Sequence, residues 1–221
     1  MSIADNVARV RDEIANACLA ARRDLSEIRL IAVTKAQSPA VLAELAAVGL
    51  HEYGENRIEH LAELTAAAPS TARFHHIGRI QSRQIPDLAR LAACIHGLAD
   101  ADHAVRLDRA CATAGKQMPV FLQVNTSGEA SKAGCAPTAL PALLDSVRGL
   151  SGLMLLGLMT MAPPWSPEGG DATPVRQAFA RLRELAYRHG LTRLSMGMSG
   201  DFALAIAEGA TDLRIGSRLF Q

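Results

Sequence analysis

The chain contains twenty arginines but only three lysines, at positions 35, 116 and 132. Where arginine is preferred whenever a surface charge suffices, each remaining lysine is a candidate for chemistry that a guanidinium cannot do. Lys35 ends the run Leu30-Ile31-Ala32-Val33-Thr34, and desolvation there favours the neutral amine that attacks a carbonyl. That is the setting of a Schiff-base lysine, although a lysine snorkelling at a strand end has the same spacing. Further on, Met198-Ser199-Gly200 and Gly216-Ser217 each close an apolar run. Glycine lets backbone N–H groups approach phosphate oxygens and the serines add donors, while either pair alone also suits a plain turn. Arg214 lies two residues before Gly216 and so points to the same side of its strand. It faces either the interior, where it requires an acceptor, or a helix outside as one half of a salt bridge.

Eight apolar runs of strand length can position these groups: residues 28–35, 51–55, 73–78, 94–99, 119–125, 153–160, 193–198 and 212–217. Those at 28–33, 120–124 and 153–159 are nearly continuous hydrophobics, as in a parallel sheet buried on both faces. Helical segments alternate with them. Ser38 is a candidate cap with Pro39 at the first position, Leu42, Leu45 and Ala46 on one face and Gly49 as the stop. Asp100 or Asp102 starts a helix ending at Gly115; Pro174 opens one with Phe179, Leu182 and Leu185 inward, closing at Gly190. Eight right-handed βαβ units close into a (β/α)8 TIM barrel, with an open doubly wound sheet as the rival. An extra amphipathic helix, 3–23, precedes the first strand. The expectation is one domain over 1–221, with 1–24 packing on the barrel and no second domain. The Pro/Gly-rich segment 162–174 reads as a mobile loop.

Barrel sites form at the carboxyl ends of the strands, which selects Lys35, Asn56, residues 77–78, 125–128 and 160–161, Met198, Ser199, Gly216 and Ser217. Lys116 precedes strand five and falls at the opposite mouth. A glycine and hydroxyl pair after both strands seven and eight is the usual place of a barrel phosphate site.

Composition narrows the ligand. A formal charge of +1 and eight aromatics in 221 residues give no electrostatic footprint for nucleic acid or an anionic membrane, so a small molecule is expected. No apolar run reaches the roughly 18 residues of a membrane span, and the first twelve residues are unlike a signal peptide; a cytoplasmic protein is expected. No large apolar helix face demands a dimer, so a monomer is expected. Cys18, Cys94, Cys111 and Cys135 lack CxxC spacing and read as reduced, mostly buried thiols rather than a zinc or redox site. His75 and His76 face opposite sides of a strand and cannot share a metal. His75 is a candidate to line the ligand; His76 reads as packed.

The ordered blocks resemble those of the YggS/PROSC family of pyridoxal 5′-phosphate (PLP) homeostasis proteins, which are similar to the barrel domain of bacterial alanine racemase. They are Ile31-Ala32-Val33-Thr34-Lys35, Tyr53-Gly54-Glu55-Asn56, His75 with Ile77-Gly78 and Gln81, residues 123–129 with Ser131-Lys132 and Gly134, residues 157–161, residues 195–199, and Arg214-Ile215-Gly216-Ser217. The resemblance implies a fold-type III PLP barrel without the C-terminal β domain. It implies that Lys35 forms the internal aldimine, that Ser199, Gly216 and Ser217 hold the phosphate, that Arg214 approaches the pyridine nitrogen, and that Asn56 lies beside the cofactor. Phe74, Arg83-Gln84, Gly97-Leu98-Ala99 and Gln221 depart from the family's usual Trp, Asn-Lys, Ser-Val-Asp and Gly.

PLP is an electron sink when its ring nitrogen is protonated. An arginine does not give up its proton, so Arg214 there weakens carbanion formation. A racemase also uses two bases, and neither Tyr53, inside strand two, nor Tyr187, on a helix, is a convincing second one. The expected function is storage of PLP and its delivery to apo-enzymes, without an enzymatic reaction. The alternatives are a low-activity amino-acid racemase and an aldolase-type barrel in which Lys35 binds a sugar phosphate. Lys132 is a candidate second amine or phosphate contact, or a plain exposed lysine.

Overall fold

A computed structural model describes residues 2–129, 132–165 and 170–221. Eight strands, β1 (Arg29–Val33), β2 (Glu52–Glu55), β3 (Arg73–His76), β4 (Cys94–Leu98), β5 (Met118–Gln123), β6 (Leu153–Met159), β7 (Arg193–Met198) and β8 (Asp212–Ile215), pair in parallel in chain order. Closure is made by β8 against β1, with Ile31 opposite Arg214 and Ala32 opposite Ile215, so the open doubly wound sheet is excluded. The helices are α1 (Ile3–Ala20), α2 (Val41–Ala47), α3 (Ile58–Ala67), α4 (Ile85–Leu91), α5 (Ala101–Thr113), α6 (Leu140–Arg148), α7 (Thr173–Arg188), α8 (Phe202–Ala207) and α9 (Ser217–Phe220).

Sequence signals set most of the helix ends. Ser2 and Asp5 form a capping box on α1, which satisfies otherwise orphaned N–H groups. Asp100 caps α5 by accepting from the His103 N–H, and Gly115 and Gly190 follow α5 and α7 with positive φ, where a glycine ends a helix without strain. Ser38 is not the cap of α2, which starts after Ala40. Ser38-Pro39 instead forms a preceding turn in which the Val41 N–H donates to the Ser38 carbonyl. In α1, Val7, Val10, Ile14 and Cys18 are buried at helical spacing and pack toward α8 and α9. Among the described residues no helix is long and apolar enough to cross a membrane.

Candidate active site at the carboxyl-terminal mouth

A cavity of about 450 Å³ opens at the carboxyl ends of the strands, within the size range of small-molecule sites. Lys35, Asn56, Met198, Ser199, Arg214, Gly216 and Ser217 all line it. Ile77, Gly78 and Met161, expected at the strand ends, line it too, whereas Arg79, Gln123, Ala133 and Met159 were not expected there.

Lys35 lies past the end of β1. The Thr34 N–H still donates to the Gly54 carbonyl at 3.0 Å, but the chain then turns sharply, with Ala36 at φ 63°. A non-glycine residue in this left-handed region is strained, and the turn aims the preceding lysine at the mouth. The desolvation expected for Lys35 is absent: the residue is exposed, because strand pairing stops at Val33 and leaves the amine in a turn. His60 ties this turn to β2, with Nε2 at 2.9 Å from the Gln37 carbonyl and Nδ1 at 2.6 Å from Glu55. Buried Glu55 also accepts from the Asn56 N–H at 2.7 Å, which fixes the backbone of that cavity residue.

The loops after β7 and β8 are joined. The Gly216 N–H donates to Ser199 Oγ at 3.2 Å, and the Met198 N–H to Asp201 Oδ1 at 2.6 Å. Burial raises the Asp201 carboxyl above its ordinary value, partly offset by that Met198 bond and by the charge of Arg214. Gly197, the penultimate residue of β7, is required just before this loop: its φ is +95° and a Cβ would stand 2.7 Å from that of Ala205.

Arg214 faces the barrel interior, not a helix outside. It is buried, donating from Nη1 to Ser195 Oγ at 2.6 Å and from Nη2 to the Thr160 carbonyl at 3.0 Å. Burial lowers its pKa to about 10, with Asp201 and Asp212 opposing the shift. The guanidinium at the cavity floor is therefore charged at neutral pH.

The profile of the alanine racemase N-terminal domain family matches residues 6–221. The chain is 41% identical over 222 residues to the pyridoxal phosphate homeostasis protein of Pseudomonas aeruginosa, covering 99% of this chain and 95% of that one. It belongs to the family of pyridoxal phosphate homeostasis proteins. Among solved structures, PipY of Synechococcus elongatus with PLP bound superposes on this family member with a TM-score of 0.86 at 31% identity, each chain covered completely (100%). Alanine racemase of Clostridium difficile shares the fold alone, with a TM-score of 0.75 at 12% identity over 95% of this chain and 56% of that one.

One expected site residue lies elsewhere. His75 does not line the cavity; it is fully buried in the barrel interior, held by His96 and Glu52. The reason is height along the axis: His75 is level with Gly54 and Cys94, and the residues of its strand that reach the cavity are Ile77 and Gly78. His76, on the opposite side of β3, is buried with neither ring nitrogen hydrogen-bonded. Burial lowers its pKa to about 4, offset slightly by the backbone of Arg79. Tyr53 is buried and donates to the Leu50 carbonyl at 2.8 Å, while Tyr187 is 85% exposed on α7. Neither lines the cavity.

Lys132 lines a neighbouring cavity of about 500 Å³ that shares Arg79, Gln123 and Ala133 with the first. Its Nζ donates to the Ala162 carbonyl at 2.6 Å, so it is not a plain exposed lysine. Ser131 of the family pattern, and part of the loop expected at 162–174, lie outside the described residues. Lys116 donates to the Ala92 carbonyl at 2.7 Å, away from the site. All four cysteines are unpaired thiols and Cys135 is only half-buried. Burial pushes Cys94 up to about 12. With His75 and His96, Cys94 forms a buried group whose ligand-type atoms lie within 4.8 Å, a grouping across β3 and β4 that linear spacing does not reveal.

Proposed function

We propose that this chain is a PLP carrier: it holds the cofactor in the Lys35 cavity and hands it to apo-enzymes. The observation that carries this reading is one cavity with a single amine, Lys35, a hydrogen-bonded Ser199 and Gly216 pair on one wall, and the Arg214 guanidinium at its floor. These residues fit the group. Ser217, the Ser199 hydroxyl and the loop backbone around Gly216 would hold the phosphate. Asn56, Met198 and Arg214 would hold the ring, with the Arg214 guanidinium as the donor toward its nitrogen. When bound, PLP supplies an aldehyde that condenses reversibly with a primary amine. Lys35 is the amine, and its exposed position keeps it within reach of water and incoming amines.

Arg214 supports a carrier over a catalyst. It is committed to Ser195 and Thr160, stays charged and donates only, so it offers the ring nitrogen no proton to take. Neither tyrosine lines the cavity as a second base. The names of the relatives agree with this role. Residues 1–221 act as one PLP-binding domain, monomeric and cytoplasmic, with apo-enzymes as transient partners.

Borohydride reduction of the protein loaded with PLP, followed by peptide mapping, tests the reading. The label is expected on Lys35, with transfer of PLP to an apo-acceptor and no loss of α-deuterium from alanine or serine above that caused by free PLP. A protein that takes up no PLP, or a label elsewhere, sinks it.

A further inference from the structure

Beneath the cavity, four hydrogen bonds run through the barrel interior. Arg214 Nη1 is 2.6 Å from Ser195 Oγ, which is 2.7 Å from His96 Nδ1. His96 Nε2 is 2.8 Å from His75 Nδ1, and His75 Nε2 is 2.5 Å from Glu52 Oε2. The chain of groups crosses from β8 and β7 to β4, β3 and β2. Its far end, Glu52, lines a separate cavity at the amino-terminal mouth together with Arg11 and Arg29.

The two ends dictate the protons. A guanidinium only donates and a carboxylate only accepts. Ser195 is fully buried, so if His96 Nδ1 carried the proton, the serine O–H would face two donors and have no acceptor. Leaving such a group unpaired costs about 1–3 kcal/mol. Ser195 therefore donates to His96 Nδ1, His96 Nε2–H donates to His75 Nδ1, and His75 Nε2–H donates to Glu52. Starting from Glu52 gives the same order, so every bond is made with one proton on each ring.

The surroundings agree with that order. Burial, then the positive charges of Arg214, Arg193 and Arg29, hold His96 well below the ordinary histidine value, and the Phe121 ring stacks on it at 4.6 Å. Burial tends to raise Glu52, but the hydrogen bond from His75 and the charges of Arg29 and Arg73 leave it lowered overall. Asp212 pairs with Arg193, the charge of Asp201 acts on Arg214, and the Cys94 thiol lies against the rings. The shared proton between the imidazoles and the ring of arginines also speak against a cation held by His75, His96 and Cys94.

We propose that Glu52, His75, His96 and Ser195 are positioning residues for Arg214: a polarised hydrogen-bond relay anchored at the opposite mouth fixes which guanidinium hydrogens remain for a ligand at the cavity floor. The functional half rests on the cavity being the PLP site; the proton order does not.

The test uses the full chain with 15N-labelled histidine, first without PLP. Long-range 1H–15N correlation is expected to show bare Nδ1 and protonated Nε2 on both His75 and His96. A proton on Nδ1 of either ring overturns the relay whatever the protein binds. In Glu52→Ala the His96 signal is expected to become a mixture of tautomers, and the Kd for added PLP to rise about fivefold. Glu52→Gln retains an acceptor oxygen and is expected to restore both readouts. An unchanged His96 tautomer in Glu52→Ala, or a Gln variant as impaired as the Ala one, refutes the positioning role. A protein with the expected tautomers that takes up no PLP refutes the carrier reading and, with it, the functional half alone.

Discussion

At the carboxyl-terminal mouth Lys35 is exposed, and the Ser199 hydroxyl accepts one N–H and has its own proton to offer. One layer below, His75, His96 and Ser195 are fully buried, and each of their ring nitrogens and hydroxyls is engaged within the protein. Water can satisfy a polar group at the mouth until a ligand replaces it, whereas an unpaired group inside costs about 1–3 kcal/mol. The mouth can therefore hold hydrogen-bonding capacity in reserve and the interior cannot. Arg214 belongs to both, since it lines the cavity and is anchored from beneath.

The sharpest way to break this contrast is to remove the reserve. Lys35→Ala is expected to abolish the borohydride-stable label and the visible absorbance of the PLP-loaded protein, while its urea midpoint stays close to that of the parent chain. An exposed side chain outside the core contributes within about 0.5 kcal/mol to stability. A variant that still takes a label on another lysine would show that the mouth holds a second competent amine, with Lys132 the first to map.

His76 is the exception that sharpens the interior half: it is fully buried, yet among the described residues neither nitrogen makes a hydrogen bond of normal geometry, the Arg79 backbone offering only a weak contact. Its pKa falls from the ordinary histidine value of 6.5 to about 4 on folding, chiefly through burial. The unfolded chain therefore takes up the proton first as the pH drops. The stability that goes with a neutral His76 is present above pH 6.5, is lost between 6.5 and 4, and does not change further below. At pH 5 the loss is about 2 kcal/mol. His76→Phe is expected to remove that share of the acid sensitivity, read as the difference in urea unfolding free energy between pH 8 and pH 5. Equal differences in the two proteins would mean that His76 is hydrated or paired in solution.

The same contrast explains what could be read from the chain alone. All eight strands were legible as apolar runs, and the cavity residues of β1, β2, β7 and β8 followed from the rule that barrel sites gather at strand ends. The run 28–35 overshot β1 because the chain leaves the ladder after Val33 while its residues are still apolar. Alternation places His75 on the ligand-facing side of its strand but gives no height along the barrel, which strand stagger sets. The relay was invisible for a related reason: His96 and Ser195 are 99 positions apart, and only the closed barrel brings their strands across from each other. Arg79 at the cavity wall has no motif of its own, and Gln123 and Met159, though inside the family-like blocks, lie within β5 and β6, before the strand ends, and became visible as wall residues only in the fold.

The two tyrosines extend the comparison to its smaller effects. Tyr53 is fully buried, and its hydroxyl donates to the Leu50 carbonyl. Tyr53→Phe is expected to lower stability by about 1 kcal/mol and to leave PLP uptake unchanged. Tyr187 is 85% exposed on α7 and does not line the cavity, so Tyr187→Ala is expected to stay within about 0.5 kcal/mol of the parent chain. Urea unfolding and PLP titration on both variants read stability and binding separately. If Tyr187→Ala weakened PLP binding while leaving unfolding unchanged, the α7 face would have to reach the mouth, and the division between an engaged interior and a mouth confined to the strand ends would fail.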